Sequence, residues 1–411
     1  MVIVSLIGCS TESMNTSEET AVEDQVSELK VVQTDDACTY KLTDTGQKVS
    51  YDADGNEISP SEGEAFYGQD ADYQGTEASF TDNGDGTVTD NVTGLMWQQV
   101  PVSETFSWEE AKEYCESLEL GGYDDWRAPT VKELFGIGDF ETGWPFLDTD
   151  YFEFPEASAM PEGMEGGPQG SSEDGEETEL PPPENGEGDS DSVGKDQGQF
   201  WTSNFYYVGT THGGAPTAFG VNHATGHIKG YPSDAGGNMG KHVRAVRSEV
   251  TAENNFVDNG DGTVSDLATG LMWRVDDNSE GVEWEEAMAY SEDLEYAGYD
   301  DWRLPNVKEL QSIVDYSGVY PAIDDTYFNC TELEENENYY YWTNTSAYFS
   351  TISPKNYYAW YVAFGYAVGE DGEDTHGAGA VRFSAKYAES SAAAEGGDNF
   401  MNSVRCVRVI D

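Results

Sequence analysis

The chain repeats itself, and the repeat limits what it can fold into. Phe80–Trp97 reads FTDNGDGTVTDNVTGLMW, and 176 residues later Phe256–Trp273 reads FVDNGDGTVSDLATGLMW, the same at 14 of 18 positions. The register holds through Trp108/Trp284, Ala111/Ala287, Tyr114/Tyr290 and Leu118/Leu294 into GGYDDWRAPTVKEL (Gly121–Leu134) and AGYDDWRLPNVKEL (Ala297–Leu310). A constant offset over this length means one structural unit made twice. Further on, Phe200-Trp201-Thr202-Ser203 matches Tyr341-Trp342-Thr343-Asn344, and Val243–Arg247 matches Val404–Arg408, at changed offsets. Insertions therefore lie between. Residues 156–199 are one of them, rich in Glu, Asp, Gly, Ser and Pro and nearly free of apolar side chains. Such a segment cannot bury enough surface to pack and reads as a disordered acidic excursion. The resulting division is 1–9, a signal remnant; 10–36, an acidic tether; 37–249, a leader and first domain; and 250–411, a second domain.

Local signals repeat with the copies. Asn83-Gly84-Asp85-Gly86 and Asn91-Val92-Thr93-Gly94 supply turns between short strands at Phe80, Thr87–Thr89 and Leu95–Trp97. Ser107 with Glu110 forms a capping box, and Trp108, Ala111, Tyr114 and Leu118 fall at helical spacing, which predicts a helix over 108–120 ended by Gly121-Gly122. Thr130–Glu133 and Asn306–Glu309 open a second helix in each copy. Asp124-Asp125-Trp126-Arg127 and Asp300-Asp301-Trp302-Arg303 could be acid pairs beside an Arg. The structural reading is the stronger one, with Trp in the core and Arg fixing the loop on a carboxylate. With 45 Gly, 25 Tyr, 17 Phe and 10 Trp, the order of hairpin, two helices, aromatic strand (359–364) and closing strand (404–409) gives an α+β fold.

Charge removes whole classes of function. Eighty Asp and Glu against 19 Lys and Arg leave a net charge of −61, which repels nucleic-acid phosphates and anionic lipid. No window of about 18 apolar residues is long enough to span a bilayer. The apolar start ends in Leu6-Ile7-Gly8-Cys9, which resembles a bacterial lipobox. Lipidation of Cys9 is therefore expected, with Ser10 favouring the outer membrane, facing the cell surface or periplasm. The only membrane contact would be this anchor.

Candidate chemistry is sparse. Asp82-Asn83-Gly84-Asp85-Gly86-Thr87 and Asp258–Thr263 alternate oxygen side chains around glycines, as calcium loops do, with Asp90 and Asp266 as added ligands. The same motifs are strong hairpin turns, so metal sites at Asp82, Asp85, Asp90, Asp258, Asp261 and Asp266 stand against a purely structural reading. His223 and His227 flank a Thr-Gly turn and do not form a helical zinc face. His376 sits alone in a Gly-rich loop. No nucleophile elbow, P-loop or dinucleotide fingerprint occurs, so no catalytic residue is assigned.

The joined motifs FTDNGDGTVTDNVTGLMW, WEEAKEYCESLELGGYDDWRAPTVKEL, YWTN and VRCVRV resemble the Lcl C-terminal domain family, named for a collagen-like bacterial adhesin, over about 40–411 outside the acidic insertion. That family is similar in layout to the C-type lectin-like fold, which implies two tandem domains, each with a small mainly antiparallel sheet, two helices and long loops. The lectin disulfide from first helix to last strand is incomplete: Cys115 stands opposite Ala245, and Ser291 opposite Cys406. Cys38–Cys115 and Cys330–Cys406 are the preferred pairs because each lies within one copy and its leader, with Cys115–Cys406 across the copies as the alternative. Lectin calcium triplets are absent, and a sulfated ligand does not suit this charge. The expected function is non-catalytic recognition or adhesion on glycan or protein surfaces through Tyr206, Tyr207, Tyr348, Tyr357 and Tyr358, with His376 nearby. A calcium-stabilised envelope scaffold and an enzyme with an unrecognised site are the alternatives.

Overall fold

A computed structural model describes residues 38–141, 143, 145–155, 198–236, 240–332, 339–347, 356–369, 372–387 and 400–410. Cys9, the tether, most of the acidic insertion and Tyr348 lie outside them. The leader forms a small ladder, β1 (Ser50–Tyr51) with β2 (Glu57–Ile58), and a 3-10 turn at Asp70–Asp72. Copy one follows with β3 (Phe80–Asp82), β4 (Thr87–Asp90), β5 (Met96–Gln98), α1 (Trp108–Ser117), α2 (Val131–Gly136), β6 (Gln199–Tyr206), β7 (Thr217–Asn222), β8 (His227–Pro232) and β9 (Val246–Arg247). Copy two repeats the order: β10 (Phe256–Asp258), β11 (Thr263–Asp266), β12 (Leu271–Arg274), α3 (Trp284–Glu292), α4 (Val307–Ser312), β13 (Tyr340–Ala347), β14 (Tyr358–Ala363), β15 (Val381–Ala385) and β16 (Val407–Val409). The fold is a sheet-rich, antiparallel α+β arrangement in two copies.

The helix starts follow from sequence. Glu110 accepts from the backbone N–H of Ser107 at 2.9 Å, closing a capping box, and α1 turns Trp108, Ala111 and Cys115 inward. Thr130 and Asn306 cap α2 and α4 by accepting from the N–H of Glu133 and Glu309. Those two glutamates also take bidentate bonds from Arg127 (2.8 and 2.7 Å) and Arg303 (2.7 and 2.6 Å). Thus the Arg of each Asp-Asp-Trp-Arg motif pairs with the helix-capping Glu. The second Asp of the motif, Asp125 or Asp301, holds Arg247 or Arg408 of the closing strand. Trp126 and Trp302 are each 2% exposed and donate to the carbonyls of Leu120 (3.2 Å) and Tyr296 (3.1 Å).

Each copy contributes one four-stranded sheet, ordered β3-β4-β5-β9 or β10-β11-β12-β16, and one three-stranded sheet. The three-stranded sheets meet edge to edge and give a six-stranded sheet, β13-β14-β15-β8-β7-β6. Val381 pairs with Ile228 at the junction. Ile228 lies opposite Val221, and Val381 opposite Val362, so the junction joins equivalent residues across a pseudo-twofold axis. This is the isologous geometry of a twofold dimer, here within one chain. The core follows the same symmetry. One cluster contains Trp97, Leu134 and Phe219 of copy one with Trp273, Leu310 and Trp360 of copy two. Phe140 packs edge-on to Trp360 at 5.6 Å, and its counterpart Tyr316 packs on Phe219 at 5.1 Å. Each such buried ring stabilises by about 2 kcal/mol, so the two copies depend on each other's cores. The described residues fall within one compact unit.

Two sequence expectations are revised. All four described cysteines are free, so neither Cys38–Cys115 nor Cys330–Cys406 forms, nor does Cys115–Cys406. Cys115 packs with Ala245 in copy one's satellite core, while Cys406 lies 3.5 Å from Ser291 Oγ in copy two's. Each copy holds one half of a bridge and an unreactive partner. The leader, assigned by position to the first domain, also binds the second: Lys308 donates to Thr43 Oγ1 and the Asp44 carbonyl, Ser346 N–H donates to Gln47 Oε1, and Lys386 donates to the Tyr51 and Asp52 carbonyls.

Candidate functional site

The predicted aromatic residues separate into buried and exposed sets. Tyr206 is 3% exposed and Tyr358 8%, so neither can offer a ring face to a ligand. Tyr206 hydroxyl donates to Asp374 Oδ2 at 3.1 Å, and Thr210 Oγ1 donates to the same oxygen at 2.5 Å, which fastens a copy-one loop to a copy-two loop. Burial holds the Asp374 carboxyl above its usual range despite these bonds. Tyr358 packs on Phe383 at 5.0 Å, and Tyr357 is half-buried against the shared core. Tyr207 alone of the described set is open, at 68%.

Sequence reasoning missed the partners of Tyr207. Its side chain lies against Gly318 (φ +95°), where a Cβ would come within 2.5 Å of Tyr207 Cβ. Two residues on, Tyr320 is 40% exposed, packs on Tyr366 in a tilted arrangement at 4.3 Å and approaches Tyr339 at 6.2 Å. Burial, then Tyr366 and Tyr339, push the Tyr320 hydroxyl up to about 12, so it stays a neutral donor. Val319 between them is also exposed. Tyr207 of copy one therefore lies against the copy-two segment that carries the tyrosine cluster, and exposed aromatic surface is found on both sides of the seam. The only sequence signal for it was the density of Tyr in the 316–339 region.

Beside this face opens a cleft of about 370 Å³, lined by Asn204, Asn254, Asp315, Tyr316, Ser317 and Lys132 among others. Lys132 donates to Asn254 Oδ1 at 2.7 Å, and burial lowers its ammonium to about 8 against the raising effect of Asp266, Glu253 and Asp315. The volume lies within the range of small-ligand sites, and the lining offers both donors and acceptors.

The calcium-loop carboxylates are used locally. Asp82 accepts from Gly84 N–H, Asp85 from Thr87 Oγ1 at 2.6 Å, and Asp90 from Val92 N–H and Thr93 Oγ1. Asp258, Asp261 and Asp266 repeat these bonds with Gly260, Thr263 and Thr269. Among the described residues no three His, Cys, Asp or Glu side chains gather to hold a metal ion. This is the turn geometry, in which each Asp satisfies its own loop. His223 and His227 flank a turn as expected; His223 bonds the Leu134 carbonyl at 3.0 Å, and burial lowers it to about 3. His376 is 2% exposed, held well below its usual range by burial and by Lys229 and Arg382, and therefore cannot face a ligand at the surface. No helix among the described residues is long and apolar enough to cross a membrane.

These features define a tandem-repeat protein, a sheet-rich α+β scaffold that displays an aromatic face beside a polar cleft. The model of the Lcl C-terminal domain matches residues 86–247 and 262–408, and the chain belongs to that family as two tandem copies. No curated protein and no solved structure matches it.

Proposed function

We propose that this chain is a non-catalytic recognition and adhesion protein that takes a glycan across Tyr207, Tyr320 and Tyr366, in a C-type lectin-like scaffold. The observation that carries the reading is the exposed tyrosine face. Rings give a sugar's C–H surface a large contact without charge, and their hydroxyls bond to its oxygens. A chain at −61 excludes polyanions, so the ligand is an uncharged glycan. In this reading the chain is carried on the bacterial outer membrane by lipid on Cys9, and fatty-acid labelling lost in Cys9→Ala checks the anchor.

The test is a glycan array with the full chain, with and without a chelator, repeated for Tyr207→Ala and Tyr320→Ala. Each truncation is expected to weaken the leading ligand by about tenfold or more, a loss of about 1.4 kcal/mol. Binding that vanishes with chelator moves the function to the aspartate loops. Binding untouched by both substitutions rejects the tyrosine face.

A further inference from the structure

The pseudo-twofold axis makes two equivalent clefts, and the described residues fill one of them. Lys308 and Thr345 of copy two form one wall of the filled cleft, and Asp139, Phe140 and Glu141 of copy one form the other. The leader segment Thr43–Lys48 lies between them. Lys308 Nζ donates to Thr43 Oγ1 (2.9 Å) and the Asp44 carbonyl (2.8 Å). Phe140 N–H donates to the Thr45 carbonyl (2.7 Å), and Gln47 Nε2 donates to the Ser346 carbonyl (3.1 Å). Thr45 and Thr345 hydroxyls share Asp70.

The same walls recur around the open cleft as Thr130, Lys132 and Asn204 facing Asp315, Tyr316 and Ser317. Two wall hydrogen bonds recur. Val131 N–H donates to Asn204 Oδ1 at 2.9 Å as Val307 N–H does to Thr345 Oγ1 at 3.1 Å. Ser317 N–H donates to Asp315 Oδ1 at 2.8 Å as Glu141 N–H does to Asp139 Oδ1 at 2.9 Å. The linker strip with Ala252 lines the open cleft where the leader strip with Thr76 bonds Asp44 N–H in the filled one. No described segment occupies the open cleft.

We propose that the open cleft receives an extended polypeptide of a partner, with the part of the leader's chemistry that the shared walls read: a hydroxyl, any two residues, Gly and Gln, at the positions of Thr43, Gly46 and Gln47. Lys132 gives one of three ammonium donors to Asn254, which leaves donors for the hydroxyl and carbonyl that Lys308 binds in the filled cleft. Gly is required at the fourth position because Asp315 stands where Asp139 does. A Cβ on Gly46 (φ +87°) would meet the Asp139 carboxylate at 2.9 Å. The inference goes beyond the glycan reading and can succeed or fail without it.

The experiment adds a synthetic peptide of residues 40–50 to the full chain and follows amide hydrogen exchange, with a scrambled peptide as control. The free peptide lacks the leader's covalent linkage, which supplies an effective concentration on the order of millimolar, so the titration extends to several mM. Expected is saturable protection of 250–256 and 313–317, absent with the scrambled peptide. Ser317→Trp, at an exposed position, should block it by filling the cleft, and Lys132→Met should weaken it at least fivefold. No protection at these concentrations, protection confined to 306–310 and 43–48, or protection unchanged in both variants overturns the proposal.

Discussion

Replacing Asp70 by Asn tests how the leader is held across the two copies. Asp70 is 3% exposed and accepts from Thr45 Oγ1 at 2.8 Å and Thr345 Oγ1 at 2.5 Å. Burial pushes its carboxyl from 3.8 up to about 7; the two hydroxyl bonds oppose this, and Asp44 and Glu309 add to it. Lys308 and Arg303 face it from α4 and the loop before it. The folded state holds the proton more tightly than the unfolded chain. This group's contribution to stability is therefore complete below pH 3.8 and is lost as pH rises to about 7. The interval corresponds to about 4 kcal/mol, an order-of-magnitude figure for a buried group. Lys308, lowered to about 8 by burial, acts in a separate window: its contribution is lost as pH falls from its unfolded value through about 8. Urea unfolding at pH 5, 6, 7 and 8 reads the difference. Asn cannot ionise, so Asp70→Asn should lose the part of the slope between pH 5 and 7. The variant should then gain a few kcal/mol on the wild type by pH 8. Parallel slopes in the two proteins would refute a buried, proton-holding Asp70.

Other consequences follow from the paired environments. Arg303→Met leaves Glu309 buried without its guanidinium and should cost about 3–5 kcal/mol, and Arg127→Met should cost somewhat less because Arg127 is more exposed. A loss below about 1 kcal/mol at both, by denaturant unfolding, would mean these pairs do not hold the loops. Ser291→Cys should form a disulfide with Cys406 on oxidation, read as two fewer titratable thiols than in the reduced variant. An unchanged thiol count would contradict the packing of α3 on the closing strand. In the unmodified chain Cys115 and Cys406, buried and raised to about 12 and about 11, should react with thiol reagents only on unfolding, and prompt labelling would contradict their burial.

Local structure was legible because its causes are local. The capping boxes at Ser107, Thr130 and Asn306, the helical spacing of Trp108 and Ala111, and the Asx turns at Asp82 and Asp258 each arise within a few residues, and each stands where the pattern put it. Helix α1 ends three residues short of expectation, at Ser117, because Leu118 is already extended. What was not legible depends on surfaces meeting. Ile228 and Val381 read equally well as interior strand residues of separate sheets, and nothing in either copy announces that β8 and β15 pair. The leader was placed with the first domain by position alone because its partners in the second copy, Lys308, Thr345 and Ser346, lie hundreds of positions away. The tyrosine site was misjudged in the same way: Tyr206 and Tyr207 are adjacent in sequence, yet strand alternation sends one inward and one out. Tyr320 joins Tyr207 only through Gly318.

The central claim is that the two copies form one body about a shared core, with the clefts and the tyrosine face created where they meet. Differential scanning calorimetry of the full chain tests it most directly. One transition is predicted, with van't Hoff and calorimetric enthalpies agreeing, because Trp360, Phe140, Tyr316 and Phe219 tie either copy's core to the other. Two resolved transitions, each with half the enthalpy, would contradict it.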